Sequence, residues 1–274
     1  MPEWDAKTYG DRFAVAHEKI AGGDIYQLNL TFKVRFQLSG SPLALYRDLR
    51  LRQPVAYGGF IDTGRQSILS LSPELFFIRD GSRIESRPMK GTAPRGASIE
   101  ADARAREELS SDIKQRAENL MIVDLVRSDI GRTAVPGSVT VPARCVVESY
   151  QTVHQLVSTV RGKLLSGTSH GECIRGLFPG GSMTGAPKLR TMEILDELEQ
   201  GPRGIYSGAI GYLSLEGTTD LSIAIRTIVI GPDGRASVGV GGAITALSDP
   251  DAELREIKLK ARAQLLALGV AELG

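Results

Sequence analysis

The sequence has few of the features that mark a secreted, membrane or nucleic-acid-binding protein. Two cysteines among 274 residues, Cys145 and Cys173, are too few for a disulfide framework and are typical of a reducing compartment. Lysine and arginine (33) balance aspartate and glutamate (32), so no net charge favours nucleic acid or an anionic membrane. No apolar run reaches the roughly 18 residues of a membrane-spanning helix, and the first residues do not read as a signal peptide. We therefore expect a cytoplasmic protein that binds neither nucleic acid nor a membrane.

The sequence does contain a mixture of strand-like and helix-like hydrophobic patterns. Apolar side chains alternate over 26–36, which predicts a long strand. Later segments predict a hairpin turn at Asp80-Gly81, one charged helical stretch over 98–130 and one strand over 220–230. Because strands and helices do not alternate regularly, the pattern predicts an α+β fold with large antiparallel sheets. We expect a single domain over 1–274.

Lys90 is the most informative residue of the chain. It occurs in Arg87-Pro-Met-Lys-Gly-Thr92, for which we predict a tight loop, and it follows Glu74 by 16 positions (90 − 74 = 16). The spacing places a possible nucleophile and a possible proton donor at the two ends of one short hairpin.

The segment Phe178-Pro-Gly-Gly-Ser-Met-Thr-Gly-Ala-Pro-Lys188 predicts an irregular loop before a helix. Its free backbone N–H groups and the helix N-terminus would attract an anion. The simpler interpretation is a loop that only leads into the helix, and the spacing is not that of the usual phosphate-binding loop.

The last predicted helix carries Glu253, Glu256 and Lys260 on one face, because these residues are three and four positions apart. Two such carboxylates can hold a hard cation such as Mg²⁺. The alternative is a solvated, salt-bridged face. Glu118 is a third acidic candidate, since it precedes an apolar run and is expected to be partly buried.

Three further features stand on predicted strands. His154 is a lone histidine, which in most proteins has a structural role. Arg226 interrupts an apolar strand, and a buried guanidinium needs a carboxylate from the protein or from a ligand. Gly241 and Gly242 remove side-chain bulk near a strand end, which permits close approach of a ligand or of another element.

Seven motifs in this order along nearly the whole chain resemble those of the chorismate-utilising enzymes. They are Tyr26-Gln-Leu-Asn-Leu30, Ser72-Pro-Glu74, Arg87-Pro-Met-Lys-Gly-Thr92, Ala117-Glu-Asn-Leu-Met-Ile-Val-Asp-Leu125, Phe178-Pro-Gly-Gly-Ser-Met-Thr-Gly-Ala-Pro-Lys188, Ile225-Arg-Thr227 and Asp249-Pro-Asp-Ala-Glu-Leu-Arg-Glu256. The resemblance implies two large antiparallel β-sheets packed face to face, with helices outside and the site in the cleft between the sheets. Because family members are longer, it also implies a chain that is shortened at its N-terminus.

The resemblance assigns a role to each candidate residue. Glu118, Glu253 and Glu256 match the family's Mg²⁺ ligands, and Glu74 matches the general acid that protonates the departing C4 hydroxyl of chorismate. Gly241 and Gly242 match the segment whose N–H groups meet the pyruvyl side chain. The remaining positions match residues that line the substrate: Gln27, His154, Thr184, Lys188, Tyr206, Arg226 and Lys260.

Two of these positions distinguish the reactions of the family. Where this chain has Gln27, isochorismate and salicylate synthases usually have a lysine that activates water, so the resemblance disfavours water addition. Anthranilate synthases usually have alanine in place of Lys90, whereas aminodeoxychorismate synthases have the lysine. The resemblance therefore implies that ammonia is added at C4 to give 4-amino-4-deoxychorismate for folate synthesis, with Lys90 as the nucleophile at C2.

The resemblance also implies a partner, a glutamine amidotransferase subunit that supplies the ammonia. Two alternatives remain at the level of sequence. One is the anthranilate synthase component I branch of the same family, which Lys90 argues against. The other is a shortened, non-catalytic paralogue that acts as a binding subunit, which the presence of both acid and nucleophile argues against.

Overall fold

The computed structural model describes residues 1–151 and 153–268 and contains the two antiparallel sheets that the sequence predicts. Thr152 and residues 269–274 of the predicted domain lie outside the described residues. The chain divides into two compact units. Unit 1 comprises Met1–Pro73, Met183–Ala209 and Ile223–Gly274, and unit 2 comprises Glu74–Ser182 and Ile210–Ser222.

Helices and strands alternate irregularly along the chain. The helices are α1 (Ala6–Ala21), α2 (Pro42–Arg52), α3 (Ile99–Ser111), α4 (Ile113–Gly131), α5 (His170–Leu177), α6 (Lys188–Glu199) and α7 (Pro250–Ala267). The strands are β1 (Gln27–Gln37), β2 (Tyr57–Asp62), β3 (Ser67–Ser72), β4 (Leu75–Asp80), β5 (Arg83–Ser86), β6 (Met89–Pro94), β7 (Thr140–Ser149), β8 (Val153–Lys163), β9 (Gly185–Ala186), β10 (Ala209–Leu213), β11 (Thr219–Ile223), β12 (Thr227–Ile230) and β13 (Arg235–Thr245). None of the helices in the described part of the chain is both long and apolar enough to cross a membrane.

Unit 1 is built on a six-stranded sheet in the order β2-β3-β12-β13-β1-β9. Its central pair, β1 and β13, is antiparallel from Gln27 opposite Thr245 to Gln37 opposite Arg235. Alternate residues of β1, Leu28 to Val34, belong to a large apolar core together with side chains of α1, α2, α6 and α7. Because strand side chains alternate between faces, Gln27 and the polar residues that follow it at every second position lie on the other face.

Unit 2 is built on a seven-stranded sheet in the order β10-β11-β4-β5-β8-β6, with β7 paired to β8. Helices α3 and α4 pack against β6, β7 and β8. A small apolar cluster of Leu109, Cys145, Val147 and Leu156 lies at this contact. The even-numbered residues of β8 therefore face the helices, and the odd-numbered residues face away from them.

The helical stretch predicted over 98–130 is two helices rather than one. Asp112 ends α3 and begins α4 with an extended backbone (φ −62°, ψ 112°), and its carboxylate accepts a hydrogen bond from the Gln115 N–H at 2.9 Å. An aspartate that caps a new helix satisfies an N–H group that would otherwise lack a partner. The sequence did not show this break because helical residues continue on both sides of Asp112.

The segment around Lys90 is a strand, β6, rather than the predicted tight loop. It pairs with β8, and its register shifts between Met89 and Thr92, so Lys90 and Gly91 occupy an irregularity in the ladder. Gly91 has a φ of +91°, which a residue with a side chain rarely adopts. Arginine and proline at the start of the segment concealed its strand character.

Two other boundaries differ from the sequence prediction. The strand predicted over 220–230 is divided into β11 of unit 2 and β12 of unit 1, and Arg226, immediately before β12, has a φ of +50°. The hairpin turn between β4 and β5 consists of Gly81 and Ser82, because Asp80 is paired with Arg83. Gly81 supplies the positive φ of 56° that such a turn needs.

Candidate functional site

The predicted site residues are divided between the two units. Unit 2 contains Glu74, Lys90, Glu118 and His154. Unit 1 contains the other ten, which are Gln27, Thr184, Lys188, Tyr206, Arg226, Gly241, Gly242, Glu253, Glu256 and Lys260.

Lys90 and Glu118 stand on neighbouring elements of unit 2, because α4 packs against β6. The contact is close at Gly91, where a Cβ atom would lie 3.1 Å from Oε1 of Gln115 on α4 and 3.2 Å from Cδ1 of Leu109. Gly91, which has no side chain, therefore leaves room for α4, the helix that carries Glu118, to pack beside Lys90.

Glu118 is a buried acid on α4, and the next residue, Asn119, holds this helix against the sheet. Its exposed fraction is 8%, and Lys114 Nζ lies 4.0 Å from its Oε1. Asn119 is fully buried, donates to the Leu156 carbonyl at 3.3 Å and accepts a hydrogen bond from the Ser158 hydroxyl. Because Asn119 binds β8 at two points, it sets the rotation of α4 and hence the direction of Glu118.

Glu74 lies immediately before β4, directly after the proline of the Ser-Pro-Glu motif, and its exposed fraction is 5%. Burial of a carboxyl group is costly unless a hydrogen-bond or charged partner accompanies it. A buried acid at a strand start suits the predicted role of proton donor, which stays a prediction.

His154 is held on both ring nitrogens by residues of unit 2. Nδ1 lies 2.8 Å from the Ser149 hydroxyl and Nε2 lies 3.0 Å from Oδ1 of Asp102, and the side chain is fully buried. Asp102 also accepts two hydrogen bonds from Arg95, at 2.7 and 2.9 Å, and one from the Gly96 N–H at 2.8 Å. The Arg95 guanidinium, then the Gly96 N–H, lower the pKa of Asp102. A substrate contact by His154 stays a prediction, while the geometry gives it a structural role.

Gln155, next to His154, is a buried polar residue that none of the sequence motifs indicates. It lies opposite Thr92 on β6 and opposite Glu148 on β7, and its exposed fraction is 5%. Strand alternation directs it away from α3 and α4, to the face opposite His154. Two adjacent polar residues on a predicted strand, His154 and Gln155, are a signal in the sequence. The sequence does not show which face of the sheet each of them occupies.

In unit 1, Gln27 begins β1 on the polar face of the sheet. It lies opposite Thr245 of β13 and opposite Ala186 of β9, and its exposed fraction is 2%. Its side-chain oxygen is buried and has no hydrogen-bond partner among the described residues. A buried acceptor without a partner suits a ligand that donates a hydrogen bond.

Gly241 and Gly242 lie inside β13 rather than at its end. A Cβ atom on Gly241 would lie 2.5 Å from the Leu30 carbonyl oxygen, so the pairing with β1 itself requires glycine there. In register, β12 accompanies β13 only as far as Val238, whereas β1 follows it to Thr245. The edge of β13 that carries the two glycines therefore extends beyond β12, which begins directly after Arg226.

The acidic residues of α7 differ in their surroundings. Glu253 is buried, accepts a hydrogen bond from the Ser248 hydroxyl at 2.7 Å, and lies beside Gly242, where a Cβ atom would be 3.6 Å from its Oε2. Glu256 is exposed and forms an ion pair with Lys260 at 2.6 Å. Glu253, Glu256 and Lys260 have the spacing of one helix face, but of these three side chains only Glu253 is buried.

Glu253 and Glu256 on α7 carry carboxylate oxygens, the kind of ligand that Mg²⁺ prefers. The Tyr9 hydroxyl is buried without a hydrogen-bond partner among the described residues, and its pKa is raised first by burial and then by the charges of Glu253 and Glu256. Over residues 1–151 and 153–268, no group of three or more His, Cys, Asp or Glu side chains is placed to hold a metal ion. Mg²⁺ binding by Glu118, Glu253 and Glu256 stays a prediction.

Thr184 and Lys188 belong to the irregular segment and to the start of α6, whereas Tyr206 packs against β13. Thr184 is buried and accepts, through its carbonyl, a hydrogen bond from the Asn29 N–H at 2.8 Å, while Lys188 is the first residue of α6. Burial raises the pKa of Tyr206, and its ring lies where a Cβ atom on Gly239 would be, 2.1 Å from Tyr206 Cγ. Tyr206 also lines a cavity of about 480 Å³ in unit 1, bounded by α1, β1 and residues 199–203.

Comparison with known proteins decides the family. The family model described as chorismate binding enzyme matches residues 1–266. This chain belongs to the chorismate binding enzymes. Two relatives named aminodeoxychorismate synthase, from Streptomyces pristinaespiralis and Streptomyces griseus, are each 51% identical to this chain. The match covers 257 residues, or 93% of this chain, for the first and 268 residues, or 97%, for the second. The chain spans little more than a third of their length, 36% and 37%.

A solved chorismate binding enzyme has the same fold. The crystal structure of anthranilate synthase component I from Streptococcus pneumoniae is 34% identical, with a TM-score of 0.88 over 96% of this chain and 58% of that one. The α+β fold with two antiparallel sheets that the sequence predicts is thereby confirmed.

Proposed function

We propose that this chain carries the chorismate-aminating activity of an aminodeoxychorismate synthase component I. It would convert chorismate and ammonia into 4-amino-4-deoxychorismate and water. The observation that supports this most is Lys90, which stands on β6 against the helix that carries Glu118, in a chain 51% identical to two proteins named aminodeoxychorismate synthase.

The proposed chemistry has two displacements that balance. The neutral amine of Lys90 forms a bond to C2 of the ring while the bond from C4 to its hydroxyl breaks, and Glu74 protonates the leaving oxygen to give water. Ammonia then forms a bond to C4 while the bond between C2 and the lysine nitrogen breaks, which restores the neutral amine of Lys90. The new ammonium group at C4 loses one proton, which restores the acid form of Glu74. Addition at C2 and loss at C4, carried out twice, returns the new nitrogen to C4.

The other predicted residues bind the substrate in this proposal. Glu118, Glu253 and Glu256 would hold Mg²⁺, which, when bound, would neutralise the ring carboxylate of chorismate. Gln27, His154, Thr184, Lys188, Tyr206, Arg226 and Lys260 would line the substrate, and Gly241 and Gly242 would donate backbone N–H groups to the pyruvyl side chain. We further propose a glutamine amidotransferase partner as the source of ammonia, and a cytoplasmic location.

The test is a product analysis of the wild type and of Lys90→Ala. Each protein is incubated with chorismate, Mg²⁺ and an ammonium salt, with and without an aminodeoxychorismate lyase, and the products are identified by mass spectrometry. The wild type is expected to give a product about one mass unit lighter than chorismate that the lyase converts to 4-aminobenzoate. Lys90→Ala is expected to lose this product, because C2 has no enzyme nucleophile.

The matched control is Lys163→Ala, which removes an exposed lysine at the end of β8 in the same unit and should leave the product unchanged. A second candidate, anthranilate synthesis, is favoured by the structural match to an anthranilate synthase component I. Fluorescent anthranilate from the wild type would replace the first proposal by the second. Failure to bind chorismate at all would instead favour a non-catalytic subunit.

A further inference from the structure

A partly buried ion pair in unit 1, Arg203 with Glu199, joins the segments that carry two predicted substrate residues. Arg203 Nε and Nη2 lie 2.7 Å from the two carboxylate oxygens of Glu199, a bidentate pair. The side chains are 16% and 8% exposed. Bidentate arginine–carboxylate pairs fix geometry as well as charge.

The remaining N–H groups of Arg203 bind three other parts of the unit. Nη2 also donates to the Asn29 carbonyl on β1 at 2.9 Å, and Nη1 donates to the Met183 carbonyl and to the Ser207 hydroxyl, the latter at 3.5 Å. An arginine has five N–H donors in a fixed planar arrangement, and here each has an acceptor. A lysine has neither the number nor the plane of donors to replace it.

Glu199 extends the same network to the polar face of the sheet. Its Oε1 accepts a hydrogen bond from the Thr31 N–H at 2.9 Å and from the Thr31 hydroxyl at 2.8 Å. The pair therefore connects β1, the strand that begins with Gln27, to the end of α6. On the edge of β1 away from β13, β9 pairs only with Gln27 and Leu28, so at Thr31 the Glu199 side chain accepts the backbone N–H.

The acceptors of Arg203 are the immediate neighbours of predicted substrate residues. Met183 precedes Thr184, and Ser207 follows Tyr206 in a backbone of positive φ (63°). Each segment is held by little backbone pairing of its own. Met183 ends a one-turn 3-10 helix, and the next residue, Thr184, accepts one hydrogen bond from the Asn29 N–H. Ser207 donates one to the Ala224 carbonyl at 2.9 Å, and Arg203 adds the side-chain contacts that join the two segments. We propose that Arg203, supported by Glu199, is a positioning residue that holds Thr184 and Tyr206 for chorismate, an inference that rests on the proposed function.

The test compares Arg203→Lys with the wild type. The variant keeps the charge and loses the forked contacts, so chorismate KM, and Kd from calorimetry, should rise about tenfold or more, while kcat changes by about twofold or less. Hydrogen exchange should accelerate in residues 183–186 and 204–208. The matched control is Arg35→Lys, since Arg35, on β1, forms an exposed pair with Glu3 and should show neither effect.

A second variant covers the case in which Arg203→Lys does not fold. Thr31→Val removes only the hydroxyl contact to Glu199. It should give a smaller rise in Kd, together with faster hydrogen exchange in the same residues, 183–186 and 204–208. Unchanged Kd and KM in a folded variant, with only a lower melting temperature, would overturn the inference and leave the pair with a structural role. A wild type that does not bind chorismate would contradict the proposed function, whereas the exchange data would still show whether Arg203 holds the two segments.

Discussion

At the scale of single residues, Asp102 shows how one side chain can fix a predicted site residue without touching a substrate. Its carboxylate accepts hydrogen bonds from Arg95, Gly96 and His154. Arg95 first, then the Gly96 N–H, lower the pKa of Asp102 in the folded protein below its usual value near 3.8. Between the two pKa values the unfolded chain binds a proton that the folded chain does not, so stability falls as the pH falls through this interval.

We predict that Asp102→Asn lowers the melting temperature at pH 7, because the amide cannot accept both guanidinium hydrogen bonds. The difference between variant and wild type should shrink as the pH falls from about 4 towards the folded pKa of Asp102, where the wild type loses the same contribution. Thermal unfolding followed at a series of pH values measures this. Asp112→Asn is the control, since asparagine caps a helix as well as aspartate does. A pH-independent difference would show that charge is not involved.

At the scale of secondary-structure elements, β13 is shaped by what packs on it. Gly239 is buried, and a Cβ atom there would lie 2.1 to 2.5 Å from three atoms of the Tyr206 ring. We predict that Gly239→Ala displaces this ring, lowers the free energy of unfolding by about 1–3 kcal/mol and raises the KM for chorismate. Chemical denaturation and steady-state kinetics measure the two effects.

The control for this prediction is Ser237→Ala, which lies two residues earlier on the same face of β13 and is only partly buried. It should leave both quantities unchanged. An unaltered KM in Gly239→Ala, together with the loss of stability, would mean that Tyr206 does not contact the substrate.

The elements that the sequence predicts well are those whose signals are local. Apolar side chains alternate over 26–36, and β1, Gln27–Gln37, forms there. The breaks at Lys90 and Arg226 were not predictable in this way. An irregular register depends on the partner strand, and the division of a strand between two sheets depends on packing far away in the sequence.

The candidate site follows the same distinction. Family motifs name Glu74, Lys90 and Glu118, and all three lie in unit 2, Glu74 directly before β4, Lys90 on β6 and Glu118 on α4. Neither motif nor periodicity indicates that both nitrogens of His154 are hydrogen-bonded, because Asp102 is 52 positions away. Likewise nothing in the sequence connects Arg203 to Asn29 across 174 positions. Hydrogen-bond networks between distant segments are the part of a site that sequence reasoning misses.

At the scale of the whole molecule, neither unit is a continuous piece of chain. The chain passes between the units after residues 73, 182, 209 and 222. As a result, β4 of unit 2 is paired with β11, which the chain reaches only after it has formed α6 of unit 1. The sheet of unit 1 likewise needs β1 and β13 from opposite ends of the sequence.

This interleaving leads us to predict one cooperative unfolding transition, in line with the proposal that 1–274 forms a single chorismate-binding domain. If one sheet unfolded, segments of the remaining sheet would be connected only by unfolded chain, and closing such loops costs entropy. An intermediate with one folded unit should therefore be unfavourable. Differential scanning calorimetry should give a calorimetric enthalpy equal to the van't Hoff enthalpy. Two resolved transitions, or a calorimetric enthalpy about twice the van't Hoff value, would show that the two units unfold as separate domains.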